Sequence, residues 1–430
     1  MITPLVTKLT YRFDRLRSIP AGILDGASNT FLLIIAVKAF EAGPTPKSFI
    51  AAAGNIGLLL SLWLVPLAER SRQPAMRIAA WLMIAGAISF FAAAALPTLP
   101  MLILAAVVGI GAANAIIPLT TSMYRDNYAP RERGKYVSRT FVVRIAATAI
   151  FGELAGRLLT EDISLFRLLL VAFGVASLFG AWCLWQIPSK SLIHISDSLV
   201  NKTSVDDTPP LPISPHGGEE LRTGIKFNAF GAMRFLKTDR VLRWTLTSWM
   251  LMGFANLMMW PLRVEFLANP KYGLLLDPHE IAIYTILIPS VARLALSPLW
   301  GWLFDRMNFF VLRITLNVGF ALGIAAFFTG SSTVGLIIGA LIFGASNAGG
   351  EIAWNLWVTK FSPPEHVAEY MSVHTFFTGV RGIAAPLLAF QLTQTLDIAG
   401  IALVCAAFIV LASLILVPEI RGQQNALKQS

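Results

Sequence analysis

Long apolar runs recur along the chain and constrain its fold more than any other feature. Each has about 20 residues, enough for a helix to cross a hydrocarbon layer of roughly 30 Å. Because a bilayer offers no water to exposed backbone groups, such runs must be helical. They lie near residues 18 to 40, 48 to 67, 77 to 97, 99 to 123, 137 to 159, 164 to 187, 242 to 264, 280 to 303, 309 to 330, 333 to 358, 367 to 392 and 396 to 417. The pattern predicts an all-α integral membrane protein with twelve transmembrane helices.

Composition supports this class and argues against others. Of the 430 residues, 56% are hydrophobic and 13% are charged, whereas soluble domains carry about 25% charged residues. The net charge of +10 comes from short basic clusters between apolar runs, so nucleic acid is not an expected partner. Cys183 and Cys405 lie inside apolar runs, and neither a metal nor another cofactor is expected. No nucleophile, base and orienting group recur as a unit, so we do not expect an enzyme.

The positions of Lys and Arg predict the orientation. If the N-terminus is inside, the short cytoplasmic segments hold most of these residues, including Lys8, Arg12, Arg15 and Arg17 at the start. Cytoplasmic loops carry such an excess. We expect both termini in the cytoplasm and the protein in the plasma membrane, as in a bacterial inner membrane, without a removable signal peptide.

The hydrophilic segments divide the chain. Residues 1–187 are predicted to form an N-terminal six-helix bundle, 188–240 a cytoplasmic linker, 241–418 a C-terminal six-helix bundle and 419–430 a cytoplasmic tail. The first part of the linker is rich in Ser, Asp and Pro and is expected to be flexible. Its last part, near 227–237, is more apolar and predicts a short helix along the membrane surface.

The two halves repeat each other in sequence. Residues 111–138 and 344–372 share GAxNA and then Pro, Glu, Tyr and Ser in the same order, with one insertion. Shorter matches relate 26–29 to 253–256 and 67–77 to 303–313. Such repeats are typical of secondary transporters, which bind their substrate where the repeats meet.

Residues 301–313, GWLFDRMNFFVLR, resemble the signature loop of the major facilitator superfamily: a Gly, an acid followed by Arg, and later basic residues. The resemblance extends over essentially the whole chain and implies two pseudo-symmetric six-helix bundles that transport a solute. It also implies a cytoplasmic gate built from Glu69, Arg70, Asp305 and Arg306. The first-half copy departs from the signature, with Val65 in place of Gly and Glu69 in place of Asp.

The fifth apolar run does not match the signature of the family's exporters. Those proteins carry a Gly and Pro rich motif there, whereas this chain reads GELAGR at 152–157, with Glu153 where Pro would fall. No subfamily is assigned. Glu153 and Arg157, four residues apart, are expected to form an intrahelical pair with a structural role.

Charged residues inside the apolar runs need a partner or a cavity, because burial of a charge in the bilayer is costly. The depth of each charge in the bilayer follows from its position in its helix, at a rise of 1.5 Å per residue. Matching depths predict that Asp25 pairs with Arg144 and Glu351 with Arg293. These pairs have two open interpretations. They are structural, or one or both acids exchange protons, since burial favours the protonated acid and a nearby arginine favours the ionised one.

Arg381 has no obvious partner in the sequence. It contacts an anionic or polar substrate, or acts in gating, or belongs to a pair that sequence does not reveal. Arginine suits an oxyanion because its planar fork binds two oxygens. The residues expected around a central cavity are Asn29, Asn114, Asn256, Asn347, Trp249 and Trp354. Hydrogen bonds between helices and simple packing explain these side chains equally well.

The sequence therefore predicts a secondary transporter, or permease, that moves a small organic solute by alternating access. We expect proton coupling, an anionic or polar substrate, and a monomer in the lipid bilayer. Two alternatives remain. One is an exporter or translocase of amphipathic drugs or lipids, with the Trp and Met residues of the seventh run as a pliable wall. The other is a non-transporting membrane sensor on the same scaffold.

Overall fold

A computed structural model describes residues 4–189, 231–330, 332–362 and 367–420, and it contains no strand in these ranges. The first six long helices are α1 (Pro4–Lys38), α2 (Pro44–Ser71), α3 (Ala75–Ala95), α4 (Leu99–Asn127), α5 (Pro130–Glu161) and α6 (Phe166–Gln186). The next six are α7 (Arg240–Ala268), α8 (Pro278–Arg306), α9 (Phe309–Phe328), α10 (Thr333–Leu356), α11 (Val367–Leu392) and α12 (Ile398–Leu414). The predicted all-α fold is confirmed.

Nine of the helices in the described part of the chain are long and apolar enough to cross a membrane. The remaining three, α2, α5 and α7, have 28, 32 and 29 residues, so their length also suffices. Every predicted apolar run coincides with a helix. The fold therefore fits twelve crossings, although apolarity alone identifies fewer.

Helices pack mainly within their own half. In the first half α1 packs on α5 and α6, α3 on α4 and α6, and α2 on α4; in the second, α10 packs on α8 and α9, and α12 on α7 and α9. An even number of antiparallel helices brings both ends of the described chain to one end of the bundle. We call this the termini end, and the opposite one the far end.

Among the described residues, the helix pairs that join the halves include α2 with α11, α5 with α8, and α1 with α7. The far-end turns of α1 are buried from Leu32 to Val37, and those of α7 from Pro261 to Ala268. Burial this continuous means that the two halves are closed against each other at the far end.

Three helices contain a π-helical turn, which adds one residue to an α-helix and often marks a functional position. These turns are Ala27–Phe31 in α1, Ala106–Ile110 in α4 and Ile283–Leu287 in α8. The turns of α1 and α8 contact each other across the halves, where the hydroxyls of Thr30 and Thr285 are 3.0 Å apart. Hydropathy does not reveal such turns.

Two helices begin well before the apolar runs that predicted them. α1 starts at Pro4 because its first turns are amphipathic and bury Asp14, which accepts a hydrogen bond from Arg17 at 2.7 Å. α5 starts at Pro130, and the first turn also holds Glu132. Proline at the first helical position and an acid in the first turn both favour a helix start.

Parts of the predicted linker and tail lie outside the described residues, namely 190–230 and 421–430. The described end of the linker forms two short helical turns, Gly231–Arg234 and Phe235–Thr238, directly before α7. This is where a short helix is predicted from the apolar stretch.

Candidate functional site

Asp25 and Arg144 form a bidentate ion pair in the first half. Arg144 donates from Nε to Asp25 Oδ2 at 2.5 Å and from Nη2 to Oδ1 at 2.6 Å. Asp25 lies on α1 just before the π turn, and Arg144 lies on α5. The side chains are 32% and 39% exposed, respectively, so water can reach the pair although it lies inside an apolar helix.

Glu351 and Arg293 form the corresponding pair in the second half. Arg293 on α8 donates from Nη2 to Oε1 of Glu351 on α10 at 2.5 Å, and the side chains are 20% and 39% exposed. Glu351 also lies within electrostatic reach of Arg144. The structure thus joins the partners that helical depth predicts, with one such pair in each half.

Arg381 on α11 has no carboxylate partner among the described residues. Its Nη1 donates to the backbone carbonyl of Trp249 on α7 and lies 4.0 Å from the sulfur of Met250. Gly253, one turn further along α7, makes room for the guanidinium, because a Cβ there would lie 1.9 Å from Nη1. Nη1 of the Arg381 guanidinium therefore anchors this side chain to α7.

The four predicted asparagines occupy related positions on α1, α4, α7 and α10, and all are half-buried: Asn29, Asn114, Asn256 and Asn347. Asn29 lies inside the π turn of α1. The amide of Asn114 donates to the carbonyl of Ile110 in its own helix at 3.0 Å. Oδ1 of Asn256 is buried without a partner, which makes Asn256 the better candidate for a ligand contact.

The two predicted tryptophans, Trp249 and Trp354, both pack on His374, with ring centres 5.2 and 5.6 Å away. His374 is fully buried, and its Nδ1 accepts a hydrogen bond from Nε1 of Trp357 at 2.6 Å. The sequence does not single out His374 as part of this site. Its role in an aromatic cluster depends on how α7, α10 and α11 meet, which sequence does not show.

Three of the four residues of the predicted cytoplasmic gate form no ion pair with the described residues. Arg70, Asp305 and Arg306 are exposed at the termini end and make no ion pair within the described part of the chain. Arg306 instead lies over the ring of Trp302 at 4.4 Å, and the side chain of Glu69 lies outside the described residues. These three residues therefore do not join the two halves by ion pairs in the present state.

A buried ion pair joins the halves at the far end instead. Nζ of Lys47 on α2 donates to Oε1 of Glu265 on α7 at 2.6 Å, and the two residues are 4% and 3% exposed. Asn269 donates to the same oxygen at 2.7 Å. Beside this far-end lock, burial and the charge of Glu265 raise the pKa of Tyr272 to about 12. The sequence does not predict the lock, because Lys47 lies just outside the second apolar run.

Further hydrogen bonds between the halves gather at the far end. Glu153 pairs with Arg157 at 2.6 Å, as predicted, and its Oε1 also lies 2.9 Å from Nε2 of His279 on α8. Gln391 on α11 donates to Thr45 on α2 at 3.1 Å. The contact to His279 extends the intrahelical pair into a link between the halves.

Two related helical bundles, closed at one end around intramembrane ion pairs, define a multi-pass membrane protein of the transporter class. The family model described as Major Facilitator Superfamily matches residues 19–386 and 267–429. The chain belongs to the major facilitator superfamily, whose members include secondary transporters of solutes. A comparison with curated proteins finds no match.

Solved structures share the fold over nearly the whole chain. The nucleoside transporter NupG is similar with a TM-score of 0.69 at 14% identity, covering 95% of this chain and 98% of that one. A POT family transporter in complex with 5-aminolevulinic acid has a TM-score of 0.68 at 12% identity, covering 96% of each chain. The xylose transporter XylE from E. coli, partially occluded and inward open, has a TM-score of 0.58 at 15% identity and covers 95% of this chain and 96% of that one.

Proposed function

We propose that the protein is a proton-coupled permease that moves a small organic solute by alternating access, with both termini in the cytoplasm. The structure then corresponds to the state closed at the far end and accessible from the termini end. Two features support this state. The bonds between the halves gather at the far end, and Arg70, Asp305 and Arg306 at the termini end are exposed.

The observation that carries the coupling proposal is the matched set of acid–arginine pairs, one in each half. Each pair is partly exposed in this state, and closing the termini end would withdraw both from water. Removing one partner of a buried ion pair leaves an uncompensated charge, which is strongly unfavourable. A proton on Asp25 or Glu351 cancels that charge, so that Arg144 or Arg293 can leave its partner.

We further propose that the solute is anionic or polar, because of Arg381. Arg381 keeps its Nε without a partner, although that atom is buried. A guanidinium with an open donor and no carboxylate nearby favours an anionic or polar solute. Asn256 adds a buried acceptor from α7, which suits a solute that also carries a hydroxyl or an amine.

The test is uptake into liposomes that contain the purified protein under an imposed proton gradient. Glu351→Gln and Asp25→Asn keep the shape of each side chain but cannot exchange a proton. We expect both to abolish gradient-driven accumulation while solute exchange without a gradient continues. Glu161→Gln, an exposed acid at the end of α5, is the matched control and should accumulate solute normally. Accumulation by both variants at the wild-type level would refute the coupling.

The translocase alternative receives less support from the packing. Three of the four methionines that would form its pliable wall are buried within the helix core, with Met252, Met258 and Met259 at 4%, 3% and 1% exposure, and the fourth, Met250, is half-buried. A side chain that is already packed on protein offers no surface to an amphipathic substrate. The small-solute permease is therefore the function we propose.

A further inference from the structure

Arg313 on α9 is a buried arginine that lacks a counterion in the part of the chain described. It is 1% exposed, and its guanidinium carbon lies 3.4 Å from the centre of the Trp249 ring. Nη2 donates to the sulfur of Met252 at 3.1 Å, whereas Nε and Nη1 have no partner. A thioether is a weak acceptor, so most of the donor capacity of this cation is unused.

Other unused donors lie around the same tryptophan. Nε of Arg381 and Nε1 of Trp249 are buried without a partner. Arg381 contacts Trp249 through the backbone carbonyl and lies close enough to Arg313 for the two positive charges to repel each other. Two like charges are thus held in one buried region, and none of the described residues forms an ion pair with either.

The hydrogen bond from Trp357 makes the ring of His374 a fourth unused donor group. Nδ1 of His374 lies 2.6 Å from Nε1 of Trp357, and an indole N–H can only donate. Nδ1 is therefore the acceptor, so the proton of the neutral ring is on Nε2, which is buried and has no partner. The ring also faces Trp249, at 5.2 Å between centres.

The unused groups share one chemical character. Arg313, Arg381, Trp249 and His374 present only N–H donors, two of them from cations, and all come from the second half. Unpaired buried donors and unpaired buried charges are both costly, and one negatively charged group with several oxygens would satisfy them together. Arg381 and Trp354 are half-buried, so the group would enter past these two side chains.

We propose that this donor cluster, Arg313, Arg381, Trp249 and His374, is a binding site for an oxyanion, and that the solute is a small organic carboxylate whose apolar part packs on the surrounding tryptophans. The inference rests on the proposed function, since it names the class of the solute. The two arginines hold the oxygens, and the indole and imidazole N–H groups complete their coordination.

The experiment measures thermal stabilisation of the purified full-length protein in detergent, at constant ionic strength. The probes are benzoate, acetate and inorganic phosphate, with benzamide and acetamide as neutral matches. A ligand that binds the native state raises its apparent stability by mass action. We expect benzoate to stabilise the protein and benzamide to have no effect. Stronger stabilisation by phosphate than by either carboxylate would overturn the assignment to carboxylates.

Two substitutions locate the site. Arg313→Met and Arg381→Gln should each weaken benzoate binding about tenfold or more, because each removes charge-assisted hydrogen bonds. Arg263→Met is the matched control. Arg263 is a buried arginine of the same half, 3% exposed and 4.1 Å from the centre of the Phe343 ring, with Nη1 unpaired, but it lies near the far end. Equal affinity in all three variants would overturn the proposal.

A measurement on the unaltered protein guards against a variant that fails to fold. Trp249 lies inside the cluster, so bound benzoate should shift the tryptophan emission saturably, with the same midpoint as the stabilisation. No saturable shift and no stabilisation by any of the three anions would also overturn the proposal. These readouts need no membrane or gradient. Carboxylate binding without transport would therefore contradict the proposed function only, and transport of a neutral solute without carboxylate binding would contradict this inference only.

Discussion

The position of the Arg381 side chain depends on a glycine, Gly253, in the neighbouring helix. Arg381 crosses from α11 to the backbone of α7 at Gly253, where any Cβ would overlap its guanidinium. Because interiors are close-packed, neither helix can move enough to admit an extra methyl group without disturbing its neighbours. The glycine therefore positions Arg381 without touching a solute.

Gly253→Ala should displace Arg381 while α7 stays helical, since alanine favours a helix more than glycine. We expect carboxylate stabilisation to fall at least as far as in Arg381→Gln, with the far-UV circular dichroism unchanged. Gly134→Ala on α5 is the control, because a Cβ there meets nothing within 4 Å. It should retain binding and gain up to about 1 kcal/mol of stability. Unchanged binding in Gly253→Ala would show that Arg381 can reach the site by another route.

Some residue pairs follow from sequence and others do not. Asp25 with Arg144 and Glu351 with Arg293 are predictable because the rise of a helix fixes the depth of each charge. The pair of Lys47 with Glu265 is not predictable from sequence. Both residues lie near the ends of the predicted spans, where a charged residue is tolerated without a buried partner. Which of these pairs forms depends on the contact between the halves.

At the scale of elements, the π turn of α1 links two functional features. The turn begins just after Asp25, which pairs within its own half, and it contains Thr30, which contacts Thr285 of the other half. One extra residue in a helix rotates everything beyond it by about 100°. The π turn therefore sets the angle between these two contacts.

Deletion of Ser28 tests this role. Without the extra residue the turn should revert to regular α-helix, so that either the Asp25 pair or the Thr30 contact is lost. We expect a folded protein, by melting in detergent, that no longer accumulates solute under a proton gradient. Ser28→Ala keeps the length of the helix and should transport normally. Normal accumulation by the deletion variant would mean that the π turn has no part in coupling.

The sequence predicts where the helices lie but not all of their starts, nor their π turns. Length and apolarity identify the helices, because a span must satisfy its own backbone. The amphipathic start of α1 was missed because its buried face carries Thr10, Asp14 and Ser18, which hydropathy counts as polar. A π turn changes hydrogen bonding without changing composition, so it leaves no signal in hydropathy.

At the scale of the whole molecule, alternating access requires the far end to open. Thr45 and Gln391 are in hydrogen-bond contact there, on α2 and α11. A disulfide between cysteines at these positions should hold the present state. Cys183 and Cys405 are buried, so the native thiols should compete little.

The double variant Thr45→Cys with Gln391→Cys should lose transport on oxidation and regain it on reduction. Uptake into liposomes checks this, and each single-cysteine variant should be insensitive to the oxidant. Full transport by the oxidised, cross-linked protein would mean that the far end does not need to separate here. At this scale the two-half architecture was predictable from the internal repeat and the family from the signature loop at 301–313. The conformation was not predictable, because one sequence serves every conformational state.

The far-end lock also ties the transport cycle to water activity. Lys47 and Glu265 are almost dry when paired, and separating them exposes two ions that must then be hydrated. Opening this end therefore takes up water molecules that the closed state excludes. Solutes kept out of the opening crevice, such as sucrose, favour the compact arrangement. If the protein works as proposed, the balance between its two open states should therefore respond to osmotic pressure as well as to the proton gradient.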